Sequence, residues 1–452
     1  MKRLKVLVSA HELSPYQGSE CAVGWNLVTR IARYHDVTVL YARGSQFFPD
    51  AYETAIRNYY TENKNEFNIK FIAVPQPDTT LWLAAINKRI SRNSSSIGVP
   101  FLYFIGYRLW QKSAYRMAKT QEPFDIIHHL TSVTFREPGY LWRLPVPFVW
   151  GPTGGTTNIP IRFYPFIGIR AASHEAFRAI TNRLTLWFSY KISRAMKKSS
   201  LIYAFSAEDQ ALFQRRMVKR VEVMLETGCG EDDASSNQPA TSNQQPATSN
   251  HLRVLWCGRL VNSKALDILL KALAGDQDLM NRVKLTIVGD GPLRSKYEKL
   301  IKKLFPPTCN PQPATNISFT GWLPRDQVVR CMRQSDVLVH TSYREGTSHV
   351  ILEALSAGLP VICHDISGIS IAVTGECGIK VPLVSYKKSV LGFRDAIRVA
   401  SCKLQDASCS TQTATGNLQP ATNLRSGALN RAKELSWDSL AERISTAYND
   451  LQ

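Results

Sequence analysis

The 452-residue sequence predicts two α/β domains, each built on a parallel sheet. Three observations support this. Short apolar runs alternate with helix-period segments in both halves of the chain. A polar stretch near residues 205–250 separates the two sets of runs. The length suits two to three domains of ordinary size, with 44% hydrophobic residues to fill their cores.

In the first half the strand-like runs are Leu4–Ser9, Asp36–Tyr41, Ile69–Val74, Phe124–His128 and Val146–Trp150. In the second half they are Arg253–Cys257, Lys284–Val288, Ile317–Thr320, Asp336–His340 and Pro360–His364. Between them lie segments such as Lys264–Ala274. Its Leu266, Leu269, Leu270 and Leu273 recur three to four apart and make one apolar helix face. The expected organisation is an N-terminal domain over 1–205, a linker over 206–250, a C-terminal domain over 251–430 and a final helix over 431–452. The linker carries Asn237–Asn243 and a near copy, Gln245–Asn250; related Gln-Pro-Ala-Thr elements recur at Gln312–Thr315 and Gln419–Thr422. Their spacing is irregular and the unit is too short to fold, so they read as flexible surface insertions.

The nine cysteines are scattered without a Cys-x-x-Cys pair, which removes the usual zinc and thiol-redox patterns. Met1–Val8 reads as a first strand rather than a leader, because Lys5 interrupts its short apolar run. No run reaches the length of a membrane span, so a cytoplasmic protein is expected. The net charge of +19 admits nucleic acid, anionic membrane or phosphorylated ligands. Residues 79–121 contain no acid and seven basic residues, and residues 138–207 contain nine basic residues and one acid, Glu175.

The richest stretch runs from Thr341 to Gly358. A strand ends near Ser342, a loop carries Glu345 and Gly346, and Thr347 or Ser348 can cap a helix that ends before Gly358. A helix start of this kind offers free N–H groups and a partial positive charge to an anion. Glu353, one turn inside, can lean back toward the same end. Taken alone, the two acids equally fit a turn residue and a solvated helix residue. The rest of the half-chain argues otherwise. Gly258-Arg259-Leu260 with Lys264, Val288–Leu293 and Phe319–Leu323 each follow a predicted strand, and parallel sheets bind ligands at those strand ends.

Together these motifs resemble the family 4 retaining glycosyltransferases, with Glu345 and Glu353 fitting that family's E-x7-E motif. The resemblance spans roughly residues 253–385 and extends to Ser436-Trp437 and the helix after it. It implies the GT-B fold, two Rossmann-like domains whose parallel sheets face a central crevice. It implies a nucleotide-sugar donor, UDP- or GDP-linked, transferred with retention and without a metal or other cofactor. By position, Arg259 and Lys264 would hold the donor diphosphate, Glu353 the ribose and Glu345 the sugar hydroxyls. Gly321, Trp322 and Leu323 would contact the base, and Gly289, Gly346, Thr347 and Ser348 would complete the donor site. One departure is Ala265, where the family usually has glycine after the lysine.

The first half matches less closely. Gln17-Gly18-Ser19-Glu20 looks like the family's small-residue loop near the donor phosphates, although a plain turn also explains Gly18. Asp125–His129 resembles the family's strand end with a histidine near the sugar. Either His128 or His129 answers to it, the other being a strand-end residue. Gly151–Thr156 lacks the ending of a P-loop, and its Gly154 and Gly155 are assigned to the acceptor.

A nucleic-acid-binding protein is the competing reading from charge, but no such motif is present. A dehydrogenase would need a third glycine where Arg294 stands. From Thr79 to Gln121, Lys88, Arg89, Arg92, Arg108, Lys112, Arg116 and Lys119 interleave with Trp82, Phe101, Tyr103, Phe104, Tyr107 and Trp110, and the last four of these basic residues recur three to four apart. That pattern suits a helix lying on an anionic membrane, with the aromatics inward as the alternative. The expected setting is cell-surface polysaccharide or glycolipid synthesis with a lipid-linked acceptor at the inner membrane face. A small soluble acceptor is the other possibility.

Overall fold

The computed structural model describes the chain except residues 1, 19, 46–47, 64–66, 91–99, 122, 217–219, 231–250, 307–315 and 406–420. The polar repeats before residue 251 and at Gln312–Thr315 therefore lie outside the described residues. The last repeat runs into the helix Ala421–Glu434.

The described chain divides into two compact units. The first holds residues 1–156, 181–227 and 437–452, and the second holds 157–180 and 228–436. In the first unit seven strands form one parallel sheet. They are β1 (Lys5–Ala10), β2 (Asp36–Ala42), β3 (Ile69–Val74), β4 (Ile126–Thr131), β5 (Phe148–Thr153), β6 (Ser199–Ala204) and β7 (Val221–Val223), in the order β3-β2-β1-β4-β5-β6-β7. In the second unit six strands form another parallel sheet. They are β8 (Leu252–Cys257), β9 (Val283–Val288), β10 (Ile317–Gly321), β11 (Val337–His340), β12 (Val361–His364) and β13 (Gly378–Val381), in the order β10-β9-β8-β11-β12-β13.

Both sheets are Rossmann-like, as the alternating pattern predicts. Their central strands are almost wholly buried because helices cover both faces. In β4 every residue is buried. The strands β6, β7 and β13 have no counterpart in the sequence reading. β6 opens on Ser199-Ser200 directly after Lys197-Lys198, and β7 is three residues long with Glu222 at its centre, so neither makes a conspicuous apolar run.

Three stretches fall differently from the expected domain limits. Residues 206–227 belong to the first unit: Ala207–Gln214 is a helix capped by Ser206, and β7 forms the sheet edge. Residues 157–180 belong to the second unit, because Ile159, Phe163 and Ile167 are buried with Leu266, Leu269 and Tyr343 in its core. Of the final stretch, residues 431–436 stay with the second unit. The helix Trp437–Asp450 packs Leu440, Ala441, Ile444 and Tyr448 into the first core.

Candidate active site

The second sheet changes direction of build between β8 and β11, so the loops beyond those neighbouring strands flank its ligand-binding end. Lys264 lies in the first loop and Glu345 in the second. Two hydrogen bonds clamp the loops together. The Thr341 hydroxyl donates to the Lys264 carbonyl oxygen at 2.7 Å, and the Tyr343 N–H donates to the Ser263 carbonyl oxygen at 2.9 Å. The Trp256 indole N–H, reaching from β8, donates to Thr341 Oγ1 at 3.1 Å.

So held, the Lys264 ammonium pairs with Glu345 Oε2. The Ser342 hydroxyl donates to the same oxygen at 3.3 Å, and His340 Nε2 lies 3.6 Å from it. His364 backs this arrangement, with Nδ1 3.0 Å from the Ser342 carbonyl oxygen and Nε2 2.9 Å from the Ser389 hydroxyl. Burial works to raise the Glu345 carboxyl, but His340 and Lys264 outweigh it and hold the group down at about 2. Burial lowers His340 itself, so the fixed charges of the cluster are Lys264 and Glu345.

Ala265 follows Lys264 with φ 47° and ψ 46°, buried at the N-cap of the helix Leu266–Ala274. This is the left-handed region, which explains why glycine suits the position. Lys264 itself ends a short 3₁₀ turn, Asn262–Lys264, instead of opening the helix. The Arg259 side chain is exposed and has no hydrogen-bond or ion-pair partner among the described residues.

Ser348 takes the N-cap of the helix His349–Ser356, but its side chain makes no capping hydrogen bond. Thr347 is buried beside Gly346 against Gly368; a Cβ on Gly368 would meet the Gly346 carbonyl oxygen at 2.7 Å. Glu353 accepts from Arg325 Nε at 3.1 Å, so the two acids of the E-x7-E pair have different cationic partners. Arg325 opens the helix Arg325–Arg333 just after Trp322, which is 67% exposed, and the half-buried Leu323. Gly289 donates its N–H to the Gly321 carbonyl oxygen at 2.8 Å, and a Cβ on Gly289 would lie 2.1 Å from the Gly258 carbonyl oxygen. Gly289 thus serves the approach of two backbone segments.

In the first sheet the corresponding switch lies between β1 and β4. Here Tyr103 donates to Glu12 at 2.8 Å and the Ser132 hydroxyl donates to Glu20 at 3.2 Å. Burial first, then the charges of Glu12 and Glu226, push Glu20 up to about 8. Burial also raises Glu12. Gly18 is exposed in the loop between these acids, with open space where a Cβ would stand.

The two histidines do not reach a ligand-facing end. β4 runs three residues beyond His128, so His128 and His129 lie inside a fully buried strand. His128 Nε2 is 2.6 Å from the Gly151 carbonyl oxygen and its Nδ1 meets the Tyr448 hydroxyl. His129 Nε2 is 3.1 Å from the Glu137 carbonyl oxygen. Burial brings their pKa values down to about 4 and about 3. Gly154 is a packing position, since a Cβ there would lie 2.6 Å from Asp209 Oδ2 and 2.7 Å from the Phe205 ring. Gly155 has open space, at φ 91°, and its carbonyl oxygen accepts from Asn182 at 3.2 Å.

Sequence reasoning missed Arg136. Thr181 and Asn182 hold its guanidinium, at 3.0 Å and 3.1 Å, and it forms no ion pair among the described residues. It also missed His340, His364 and Ser342, although both histidines close predicted strands, which was an available signal.

The family model for glycosyl transferases group 1 matches residues 237–396. The second unit carries a glycosyl transferases group 1 domain. The D-inositol 3-phosphate glycosyltransferase of Streptomyces bingchenggensis is 30% identical over 199 residues, covering 43% of this chain and 39% of that protein. The sulfoquinovosyl transferase SQD2 of Arabidopsis thaliana is 32% identical over 116 residues, covering 26% and 20%. The chain thus spans about a fifth to two fifths of the length of these curated relatives.

Among solved structures, the Anabaena protein HepE in complex with UDP-glucose superposes with a TM-score of 0.55 at 15% identity, covering 99% of this chain and 100% of that one. WaaG, a glycosyltransferase involved in lipopolysaccharide biosynthesis, does so with a TM-score of 0.52 at 17% identity, covering 98% and 99%. At these identities the likeness speaks for the fold, and that fold is GT-B.

Proposed function

We propose that this protein is a retaining glycosyltransferase that takes its sugar from a UDP- or GDP-linked donor. The observation that carries the proposal is the Lys264–Glu345 pair at the switch point of the group 1 domain. Sugar transfer breaks the bond between the anomeric carbon and the diphosphate, and negative charge grows on the leaving oxygen. Cations and helix-start amides that meet that charge more strongly in the transition state accelerate the step. Lys264 and Arg259 supply the cations, and the amides beyond Ser348 supply the helix start. Glu345, held ionised, suits the sugar hydroxyls, and Glu353 the ribose. The acceptor oxygen bonds to the anomeric carbon on the face the diphosphate leaves, and its proton passes to the departing phosphate oxygen. No metal is assigned a role.

The first unit is proposed as the acceptor side. Glu20 and Glu12, raised in pKa, suit hydroxyl groups, and Arg136 suits an anionic acceptor. A lipid-linked acceptor in cell-surface polysaccharide or glycolipid synthesis is in keeping with the lipopolysaccharide role given for WaaG. The test is NMR of the purified protein with a panel of UDP- and GDP-sugars. One donor should be consumed, and the product should keep the donor's anomeric configuration. Consumption of none, or an inverted product, overturns the reading.

A further inference from the structure

In the acid-free stretch the rings of Tyr107 and Trp110 turn inward. Tyr103 donates to Glu12, Tyr107 donates to the Thr131 carbonyl oxygen at 3.1 Å, and Tyr107 and Trp110 are buried. The helix Pro100–Ala118 therefore shows solvent a basic face, with Arg108 tied to Glu137 at 2.6 Å. Two rings of the stretch stay in solvent, Trp82 at 65% and Phe101 at 71% exposed, well separated along the chain, and a denser group lies on another helix.

On the part of the helix Ile169–Phe188 that belongs to the first unit, from residue 181 onward, Leu184, Trp187 and Phe188 are between 51% and 80% exposed. Their spacing is three and one. At the helical advance of about 100° per residue they fall within an arc of roughly 100°, a single stripe. Tyr190, 71% exposed, continues the apolar surface into the helix Tyr190–Lys198. Isolated exposed apolar residues need no explanation, but a contiguous stripe of large ones does.

The charges around the stripe are of one sign. Arg183, Arg194, Lys197 and Lys198 are exposed. Arg194 lies 5.2 Å over the Tyr190 ring and Arg216 lies 4.2 Å over the Trp187 ring. From residue 157 to residue 207 the sequence contains one acid, Glu175, and it is buried against Arg344 and Arg178. A second copy of the chain docked stripe to stripe would set these cations against their own equivalents, with no acid of this stretch to offset them. An anionic lipid surface meets both features, since rings and aliphatic chains enter the headgroup boundary while cations meet the phosphates. Among the described residues no helix is long and apolar enough to cross a membrane, so the element would lie on the bilayer.

We propose that the apolar surface from Leu184 to Tyr190 in the first unit, flanked by Arg183, Arg194, Lys197 and Lys198, docks this protein on an anionic lipid bilayer. The proposal stands apart from sugar transfer, because docking can be read with no donor present. The test is co-sedimentation of the full chain with vesicles of phosphatidylcholine alone or mixed with phosphatidylglycerol. The wild type should pellet with the mixed vesicles only, and release as salt is raised. The double variant Trp187→Ser, Phe188→Ser and the charge reversal Arg183→Glu, Lys197→Glu, Lys198→Glu should each bind at least about tenfold more weakly. Lys112→Glu, Arg116→Glu, on the basic helix beside the buried Tyr107 and Trp110, should bind within about twofold of wild type. Unchanged circular dichroism keeps the loss separate from unfolding, and quenching of tryptophan fluorescence by brominated lipid, lost in Trp187→Ser, reports insertion. Equal binding to both vesicle types, or binding to neither, overturns the proposal. So does a concentration-dependent dimer that the Trp187→Ser, Phe188→Ser variant abolishes.

Discussion

The two sheets share one topology, yet the switch points carry opposite electrostatics. Beyond β8 and β11 an ammonium and a carboxylate pair, and Glu345 is held down at about 2. Beyond β1 two half-buried carboxyls, Glu12 and Glu20, share one region, and burial with the charges of Glu12 and Glu226 pushes Glu20 up to about 8. The backbone plan creates a ligand end in each unit, while the side chains beyond the strands decide what it can hold. A fixed ion pair beside a helix start suits a doubly charged diphosphate. A pair of carboxyls that retains a proton near neutral pH suits hydroxyl groups, which both donate and accept.

The comparison breaks most directly at Lys264. Lys264→Ala should lower turnover by about 2–4 kcal/mol of transition-state stabilisation, roughly 30- to 1000-fold, read from steady-state rates. Rates near wild type would remove the second switch point from the chemistry.

The next effect concerns stability. His128→Ala leaves the Tyr448 hydroxyl and the Gly151 carbonyl oxygen without their buried partner. It should cost about 2–3 kcal/mol of unfolding free energy, measured by denaturant titration, with turnover per folded molecule unchanged. A large loss of turnover at unchanged stability would return His128 to the active site.

A smaller effect separates the switch points by pH. A carboxyl whose folded pKa is raised costs stability as pH rises from its unfolded value, near 4.5, toward about 8, because the unfolded chain gives up the proton first. Glu20→Gln should therefore melt higher than wild type near pH 8.5, and the gap should close near pH 4.5. Glu345, with a lowered pKa, has the opposite sign. Its contribution is present above about 4.5 and is lost as pH falls toward 2. Glu345→Gln should thus be destabilising at neutral pH and close to wild type in strong acid.

The smallest effect is at Ala265. Replacing it by glycine relieves a left-handed alanine and should stabilise the protein by about 0.5–1 kcal/mol, offset in part by the greater freedom of unfolded glycine. A loss of stability there would mean that the Ala265 methyl packs more favourably than its backbone is strained.

The sequence showed the second switch point more clearly than the first, and the reason is local. Lys264, Glu345 and Glu353 lie in loops or at a helix start, where a charged side chain has no stable position in the core. A strand limit wrong by a residue or two does not change that. The histidines depend on the limit entirely. Ending the strand at His128 puts them at its rim, while the observed β4 runs on to Thr131 and buries both. Gly154 failed for a related reason: its small size serves Phe205 and Asp209, distant in sequence. Arg136 was illegible because its significance depends on Thr181 and Asn182, some 45 residues away. The strands of both sheets were largely legible from apolar runs, and β6, β7 and β13 were missed where polar or short segments hid them.

The central claim, that the Lys264–Glu345 pair serves a nucleotide-sugar donor, is tested most directly at Glu345 itself. The measurement compares wild type and Glu345→Gln for release of UDP or GDP from the donor identified in the panel, alongside calorimetric affinity for the free nucleotide. The account predicts at least about a thirtyfold fall in release with nucleotide affinity within about threefold of wild type. Release at the wild-type rate, or affinity and release lost together in a folded variant, would contradict it.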